Sequence, residues 1–346
     1  MISPEKLIKV LKKNQIEFVT GVPDSVFKSV CFAFEKKISK NKHISAANEG
    51  AAIALAIGYH LATNKIPLVY LQNSGIGNAL NPLISLVNKN VYKIPMLLFI
   101  GWRGEMKGNK HIKDEPQHFY QGKITIDQLN LLGIRHIKIN RTSNISLTIK
   151  NAKNLALKKS QPVAILIRKN TFSKSSLKNK SKKKTREYFL KELYKHLPKS
   201  LLKISTTGML SRELYELDKI SENSRNTFMC IGGMGHASSV AIGVAIKSKK
   251  KVICLDGDGS AIMHLGSMIT AAKCKNLIHI VFNNNSHDSV GGQLTAGENL
   301  NFCNIAKAMG YQNVYKVKKT NELKNLVKKS LNSKNSSFIE IICGAG

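Results

Sequence analysis

Two short clusters of oxygen-bearing residues stand in the second half of the chain. They are Asp256-Gly257-Asp258-Gly259-Ser260 and Asn283-Asn284-Asn285-Ser286-His287, with Asp258 and Asn285 separated by 27 positions. A carboxylate, a side-chain amide and backbone carbonyls are hard oxygen ligands of the kind that Mg²⁺ takes together with phosphate oxygens and water. The glycines at 257 and 259 let the backbone approach an anion closely, and a helix starting there would aim free N–H groups at phosphate oxygens. Taken alone, Gly-Asp-Gly reads as a tight turn with a capping aspartate. Two further clusters call for the same weighing. Gly232-Gly233-Met234-Gly235-His236 is a glycine turn feeding a helix of small residues, where Met234 by itself reads as a core methionine. Glu49, within Ala46-Ala47-Asn48-Glu49-Gly50, by itself reads as an acid favoured by the dipole of a first helical turn.

The elements that must carry these clusters follow from periodicity. In the first half, apolar runs predict strands at Phe18–Val22, Pro67–Gln72, Pro95–Gly101, Ile134–Ile139 and Pro162–Ile167. In the second half they predict strands at Phe228–Gly232, Val252–Asp256, Leu277–Asn283, Val314–Val317 and Phe338–Cys343. Runs such as PLVYLQ and LIHIVF are apolar throughout, as in strands covered on both faces. Helical patterns lie between them, for example Gly50–Thr63 and Ser260–Lys273. The expected fold class is α/β, with two doubly wound parallel-sheet domains and ligand sites at the carboxyl ends of their strands. Lys169–Arg186 is rich in lysine and serine and holds no acid. It reads as an exposed basic linker between domains at 1–168 and 187–346. No short-period repeat is visible.

Composition narrows the classes. The 346 residues are enough for two cores, and 42% hydrophobic content is ordinary for a soluble protein. The amino terminus reads as an amphipathic helix, not a signal peptide, and no apolar run approaches the ~20 residues of a membrane span, so a cytoplasmic location and no membrane partner are expected. Six scattered cysteines without a CxxC pair support neither a disulfide framework nor a zinc site. The net charge of +33 raises nucleic-acid binding, but the excess is mostly lysine with few aromatics interleaved. It reads as a solvated surface and no nucleic-acid partner is expected.

With its strands in place, GDG followed by 24 residues and NN resembles the signature of thiamine-diphosphate enzymes. That resemblance implies thiamine diphosphate and Mg²⁺ as cofactors. It implies Asp258, Asn285 and the carbonyl of His287 as metal ligands, with Gly259 and Ser260 near the diphosphate. It gives Met234, flanked by Gly233 and Gly235, the place of the bulky residue that props the cofactor in a bent shape. The stretch NEGAAIALAIGYHLAT resembles the glutamate-bearing helix of the pyrimidine-binding domain. Glu49 would then be the acid that promotes the imino tautomer and so the ylide. The domain order would be pyrimidine-binding, then diphosphate-binding. The two motifs usually meet at a subunit interface, so a homo-oligomer, a dimer at least, is expected.

Several stretches narrow the resemblance to the phosphonopyruvate decarboxylase family, and it runs over nearly the whole chain. They are Thr20-Gly21-Val22-Pro23-Asp24-Ser25, Gln72-Asn73-Ser74-Gly75-Ile76-Gly77-Asn78, Arg103-Gly104-Glu105, Asp114-Glu115-Pro116-Gln117-His118, Ser205-Thr206-Thr207-Gly208 and His287-Asp288-Ser289-Val290-Gly291-Gly292-Gln293. As in that family, no middle domain is expected. The implied reaction converts 3-phosphonopyruvate, a small anionic 2-oxo acid, to phosphonoacetaldehyde and CO₂ in phosphonate biosynthesis. Ser25, Asn73, Ser74, Arg103 and His118 would bind substrate, Arg being suited to bidentate contact with phosphonate oxygens. Asp24 and His287 join Glu49 as catalytic candidates, although Asp24 is equally an N-cap after Pro23. Thr206, Thr207 and Gly208 join the cofactor-binding set. The basic segment Met106–Lys113 reads as a lid in which His111 could reach substrate. Rival readings are sulfopyruvate decarboxylase, a benzoylformate- or pyruvate-type decarboxylase, and a basic nucleic-acid-binding protein on a degenerate thiamine fold. Intact Glu49, Asp258 and Asn285 speak against the last.

Overall fold

The computed structural model describes residues 1–108, 110–174, 183–222 and 226–346. The chain divides into two compact units, Met1–Leu177 and Lys178–Gly346.

In the first unit the order is α1 (Pro4–Lys13), β1 (Val19–Gly21), α2 (Lys28–Lys37), β2 (His43–Ser45), α3 (Glu49–Thr63), β3 (Leu68–Gln72), α4 (Ile76–Pro82) and β4 (Leu97–Gly101). A small antiparallel hairpin follows, β5 (Met106–Lys107) with β6 (Lys110–His111), and then α5 (Pro116–Leu131), β7 (Arg135–Ile139), α6 (Ile145–Lys159) and β8 (Val163–Ile167). Six strands form one parallel sheet in the order β2-β1-β3-β4-β8-β7. Alternate residues of each strand feed cores on opposite faces. Leu97 and Phe99 join Leu7, Leu11, Phe34, Ile149 and Ala152 on one side, and Leu98 and Ile100 join Ala52, Ile53, Ala56 and Ala79 on the other. Each fully buried Leu, Ile or Phe among them contributes about 1.5–3 kcal/mol, and this two-sided burial is why the strands read as unbroken apolar runs.

The second unit repeats the plan. It runs α7 (Arg186–Tyr194), β9 (Leu202–Ser205), α8 (Met209–Ile220), β10 (Thr227–Met229), α9 (Ala237–Lys247), β11 (Val252–Gly257), α10 (Asp258–Met263), α11 (Ser267–Lys273) and β12 (Leu277–Asn283). The hairpin β13 (Ser286–His287) with β14 (Gln293–Leu294) precedes α12 (Phe302–Ala308), β15 (Asn313–Val317), α13 (Leu323–Asn332) and β16 (Ser337–Ile342). Its parallel sheet is ordered β10-β9-β11-β12-β16-β15, so strands in matching sequence positions occupy matching places in the two sheets. No middle domain intervenes.

The structure departs from the sequence expectations at four places. Strands β2 and β9 were not foreseen: β2 is three residues of HIS, and β9 carries Lys203 in a run of only four. β2 lies beside β1, and β9 lies between β10 and β11; pairing in the sheet outweighs weak local propensity. The helix expected at Ser260–Lys273 is two helices, broken around His264–Gly266. The basic stretch 169–186 is not exposed throughout. Thr171 and Phe172 are buried and Phe172 bridges to Ile2, while Arg186 is a buried residue opening α7. Within that stretch residues 175–182 lie outside the described residues, as does the side chain of His111. No helix among the described residues is long and apolar enough to cross a membrane.

Candidate active site

The second unit gathers its chemistry at the carboxyl ends of β9, β11 and β12. Asp258, the first residue of α10, is 2% exposed. Its Oδ2 accepts a 3.0 Å hydrogen bond from Thr295 Oγ1, and burial pushes its carboxyl up to about 7. A carboxylate held in low dielectric with no cation beside it behaves in this way. The backbone N–H of Thr295 donates to the carbonyl of Asn285 at 3.2 Å, so one threonine joins Asp258 to the loop carrying Asn285. Asn285 is in the left-handed region, with φ of 53°. The carbonyl of His287 accepts from the Gly292 N–H at 2.9 Å, leaving its second lone pair for another partner. The hard oxygen donors of Asp258, Asn285 and His287 fit a divalent cation such as Mg²⁺.

The same end of the sheet explains its glycines. A Cβ on Gly259 would stand 2.8 Å from the imidazole of His287, and one on Gly235 would stand 2.6 Å from the ring of His264. Gly208, Gly233 and Gly235 have φ of 92°, 63° and 90°, which favour glycine. Ser260 ties the cluster together, with its hydroxyl 2.7 Å from Thr206 Oγ1 and accepting from the Gly235 N–H at 3.1 Å. Thr207 Oγ1 donates to the carbonyl of Ile231, and Met234 is half-buried on the glycine turn. These groups form a cradle of small residues and hydroxyls, suited to a phosphate-bearing ligand. The imidazole of His287 is buried, and burial lowers its pKa to about 4, so it is neutral. Its Nε2 has no hydrogen-bond partner among the described residues. The ring lies against Gly259.

In the first unit the polar groups sit where β1, β3 and β4 end. Asp24 is fully buried. Its Oδ1 accepts from the Val26 N–H at 2.8 Å, so it is indeed a cap, while Oδ2 has no hydrogen-bond partner among the described residues. Burial raises its pKa to about 7, despite the opposing backbone N–H of Val26 and the charge of Arg103. Gly101 is required here, because a Cβ would fall 2.1 Å from Asp24 Oδ1. Arg103 Nη1 donates to Ser25 Oγ at 2.9 Å, and Nε donates to Asp114 Oδ2 at 2.9 Å. Burial resists ionisation of Asp114, but hydrogen bonds from Arg103 and from the Gly104 and Glu115 N–H groups hold its carboxyl well below the usual range. His118 lies 3.6 Å from Glu115, and burial, helped by Arg103, lowers its pKa.

Asn73 corrects an expectation. Its amide N–H groups donate to the carbonyl of Arg103 and to Thr125 Oγ1, both at 2.9 Å, and its Oδ1 accepts from the Arg103 N–H. Both donors are occupied, so Asn73 shapes the Arg103 turn and is not available to substrate. Ser74 is exposed and accepts from Gln72. Glu49 opens α3 beside the Asn48 cap, with 6% exposure. Burial raises its pKa, opposed by the 2.8 Å hydrogen bond that its Oε2 accepts from Asn78. Gly75 presses on this carboxylate, since a Cβ there would stand 2.4 Å from Oε1. The reading of the sequence did not single out Asn78, Asp114 or Thr295 as site residues. The first two lie inside stretches already quoted, but Thr295 has no local signal at all.

Fold and site together define an enzyme of thiamine-bearing α/β type, and comparison with known proteins agrees. Residues 4–131 match the thiamine pyrophosphate enzyme N-terminal TPP binding domain, and residues 206–341 match the C-terminal TPP binding domain. The chain is 31% identical over 369 aligned positions to phosphonopyruvate decarboxylase of Streptomyces viridochromogenes, covering 100% of this chain and 89% of the relative. It is 27% identical to sulfopyruvate decarboxylase of Methanosarcina acetivorans, over 100% of this chain and 92% of the relative. Sulfopyruvate decarboxylase subunit beta of Methanocaldococcus jannaschii is 33% identical but covers 44% of this chain and 79% of its own. The chain belongs to the thiamine-pyrophosphate-dependent decarboxylases, in the group that contains the phosphonopyruvate and sulfopyruvate enzymes.

Proposed function

We propose that this chain decarboxylates 3-phosphonopyruvate to phosphonoacetaldehyde and CO₂, as a cytoplasmic homo-oligomer using thiamine diphosphate and Mg²⁺, within phosphonate biosynthesis. The observation that carries the substrate assignment is the cluster at the ends of β1 and β4, where an arginine, a serine hydroxyl and a buried aspartate meet. Arg103 directs its Nε and one Nη2 proton to Asp114 and one Nη1 proton to Ser25, which leaves one N–H on each terminal nitrogen for phosphonate oxygens. An Asp24 oxygen with no hydrogen-bond partner among the described residues, on a carboxyl poised near 7, suits delivery of a proton at neutral pH. His118, beside Glu115 near the same cluster, is a further donor for the anionic substrate. When bound, thiamine diphosphate supplies the nucleophile for the keto carbon and the electron sink for loss of CO₂. Asp258, Asn285 and the carbonyl of His287 hold the cation that anchors the diphosphate. The turns at Thr206–Gly208 and Gly233–Gly235 line the cofactor, and Ser260 braces them. Glu49, whose carboxyl burial pushes above its ordinary value, exchanges a proton with the aminopyrimidine ring.

A sulfonate substrate is the second reading, favoured by the full-length similarity to a sulfopyruvate decarboxylase. Both readings are tested by CO₂ release from the purified protein with thiamine diphosphate and Mg²⁺, offering phosphonopyruvate, sulfopyruvate and pyruvate in parallel. Turnover of phosphonopyruvate well above the others, reduced at least ~100-fold by Glu49→Gln with cofactor still bound, is the expected result. A preference for sulfopyruvate would overturn the substrate and leave the cofactor assignment standing.

A further inference from the structure

We propose that Arg186 is a positioning residue for the metal-bearing loop, acting through Asp288 and Asn284. This inference rests on the reading of Asp258, Asn285 and the His287 carbonyl as cation ligands. Arg186 is 7% exposed. Its Nε and Nη2 donate to the two carboxylate oxygens of Glu213 on α8, at 3.0 and 2.8 Å, and its Nη1 donates to Asp288 Oδ2 at 2.8 Å. That same Oδ2 accepts from Asn284 Nδ2 at 2.7 Å, and Asn284 Oδ1 accepts from the Ser286 N–H at 3.0 Å. A continuous chain of bonds therefore runs from α8, through the guanidinium, to residues 284, 286 and 288, on both sides of Asn285.

Asn285 has a left-handed backbone, which asparagine adopts readily, so the direction of its side chain depends on how the residues on either side of it are held. A buried ion-pair node is weak evidence for stability as such, because desolvation offsets most of the attraction. Its presence is better explained by what it fixes. The planar fork of arginine reaches two carboxylates at once, which an ammonium cannot reproduce. One cation against two carboxylates also leaves a net negative charge next to the loop, which a divalent ion would offset.

The test is the Mg²⁺ concentration that half-saturates thiamine diphosphate binding, measured by titration calorimetry on the full-length protein, with melting of the apoprotein recorded in parallel. The variants are Arg186→Lys, which keeps the charge, and the neutral Arg186→Met/Glu213→Gln/Asp288→Asn, which leaves no buried unpaired charge. Mg²⁺ affinity is expected to fall about 10–100-fold in the neutral variant, the usual effect of losing support behind metal ligands, and less in Arg186→Lys. Apoprotein melting should stay near wild type in both. Wild-type Mg²⁺ affinity in either folded variant overturns the inference. Asp258→Ala separates the two readings: if it leaves Mg²⁺ affinity unchanged, the cation site itself is misassigned and the clamp has nothing to position.

Discussion

At the scale of single residues, burial tunes the acids. Asp24, Glu49 and Asp258 all have raised pKa values, with desolvation as the leading cause. Asp24 gives the cleanest consequence. Its folded pKa of about 7 exceeds the ordinary 3.8, so within that window the folded chain keeps a proton that the unfolded chain has released. Stability must therefore fall as pH rises from about 4 through 7. Asp24→Asn removes this cost while its amide oxygen can still cap Val26. The variant should be more stable than wild type at pH 8, by on the order of 2 kcal/mol, with the difference vanishing toward pH 4. Denaturation at the two pH values measures it, and an equal difference at both would place the cause elsewhere. Under the proposed role of Asp24 as proton donor, activity of the same variant should also drop.

Pairs of elements meet through glycines at the scale above. The start of α3 carries Glu49 and the start of α4 carries Asn78, and the two helices lie close enough that a Cβ on Gly50 would stand 2.9 Å from the carbonyl of Asn78. Gly75, just before α4, is the tighter constraint. Gly75→Ala must drive the Glu49 carboxylate away from Asn78, and a displacement near 1 Å at a reacting group costs on the order of 100-fold in rate. Gly77, two residues on, has nothing within 4 Å of a built Cβ. Gly77→Ala should leave turnover unchanged and stabilise the helix slightly. Turnover of the two variants side by side checks the point; equal activities would show that the carboxylate position is not critical.

For the whole molecule, 54 basic residues against 21 acidic ones create a strong positive field. Such a field concentrates anions and is screened by salt. With a phosphonate-bearing 2-oxo acid, kcat/KM should fall several-fold between roughly 0.05 and 0.5 M ionic strength, while kcat holds. A salt-independent kcat/KM would mean that the lysines serve solubility alone. Two units with one strand order also frame the protein as a duplicated plan, each half offering the carboxyl ends of its sheet to a different part of the chemistry.

What the sequence by itself determined was largely local. Apolar runs covered on both faces announced the parallel sheets, and the GDG and NN clusters stood out as oxygen-rich turns at strand ends. Glu49 by itself read as a first-turn acid, and only the resemblance of NEGAAIALAIGYHLAT to a glutamate-bearing helix set it apart. Tertiary structure alone decided the partners. Thr295 joins Asp258 to Asn285, Asn73 is tied to the Arg103 backbone 30 residues away, and Arg186, in a stretch that looked like solvated linker, is buried between two carboxylates. Strands β2 and β9 belong to the same class, being short and polar in sequence and strand-like only beside their neighbours. Hydrogen bonds between residues distant in sequence leave no periodicity, and a side chain's burial depends on what packs over it.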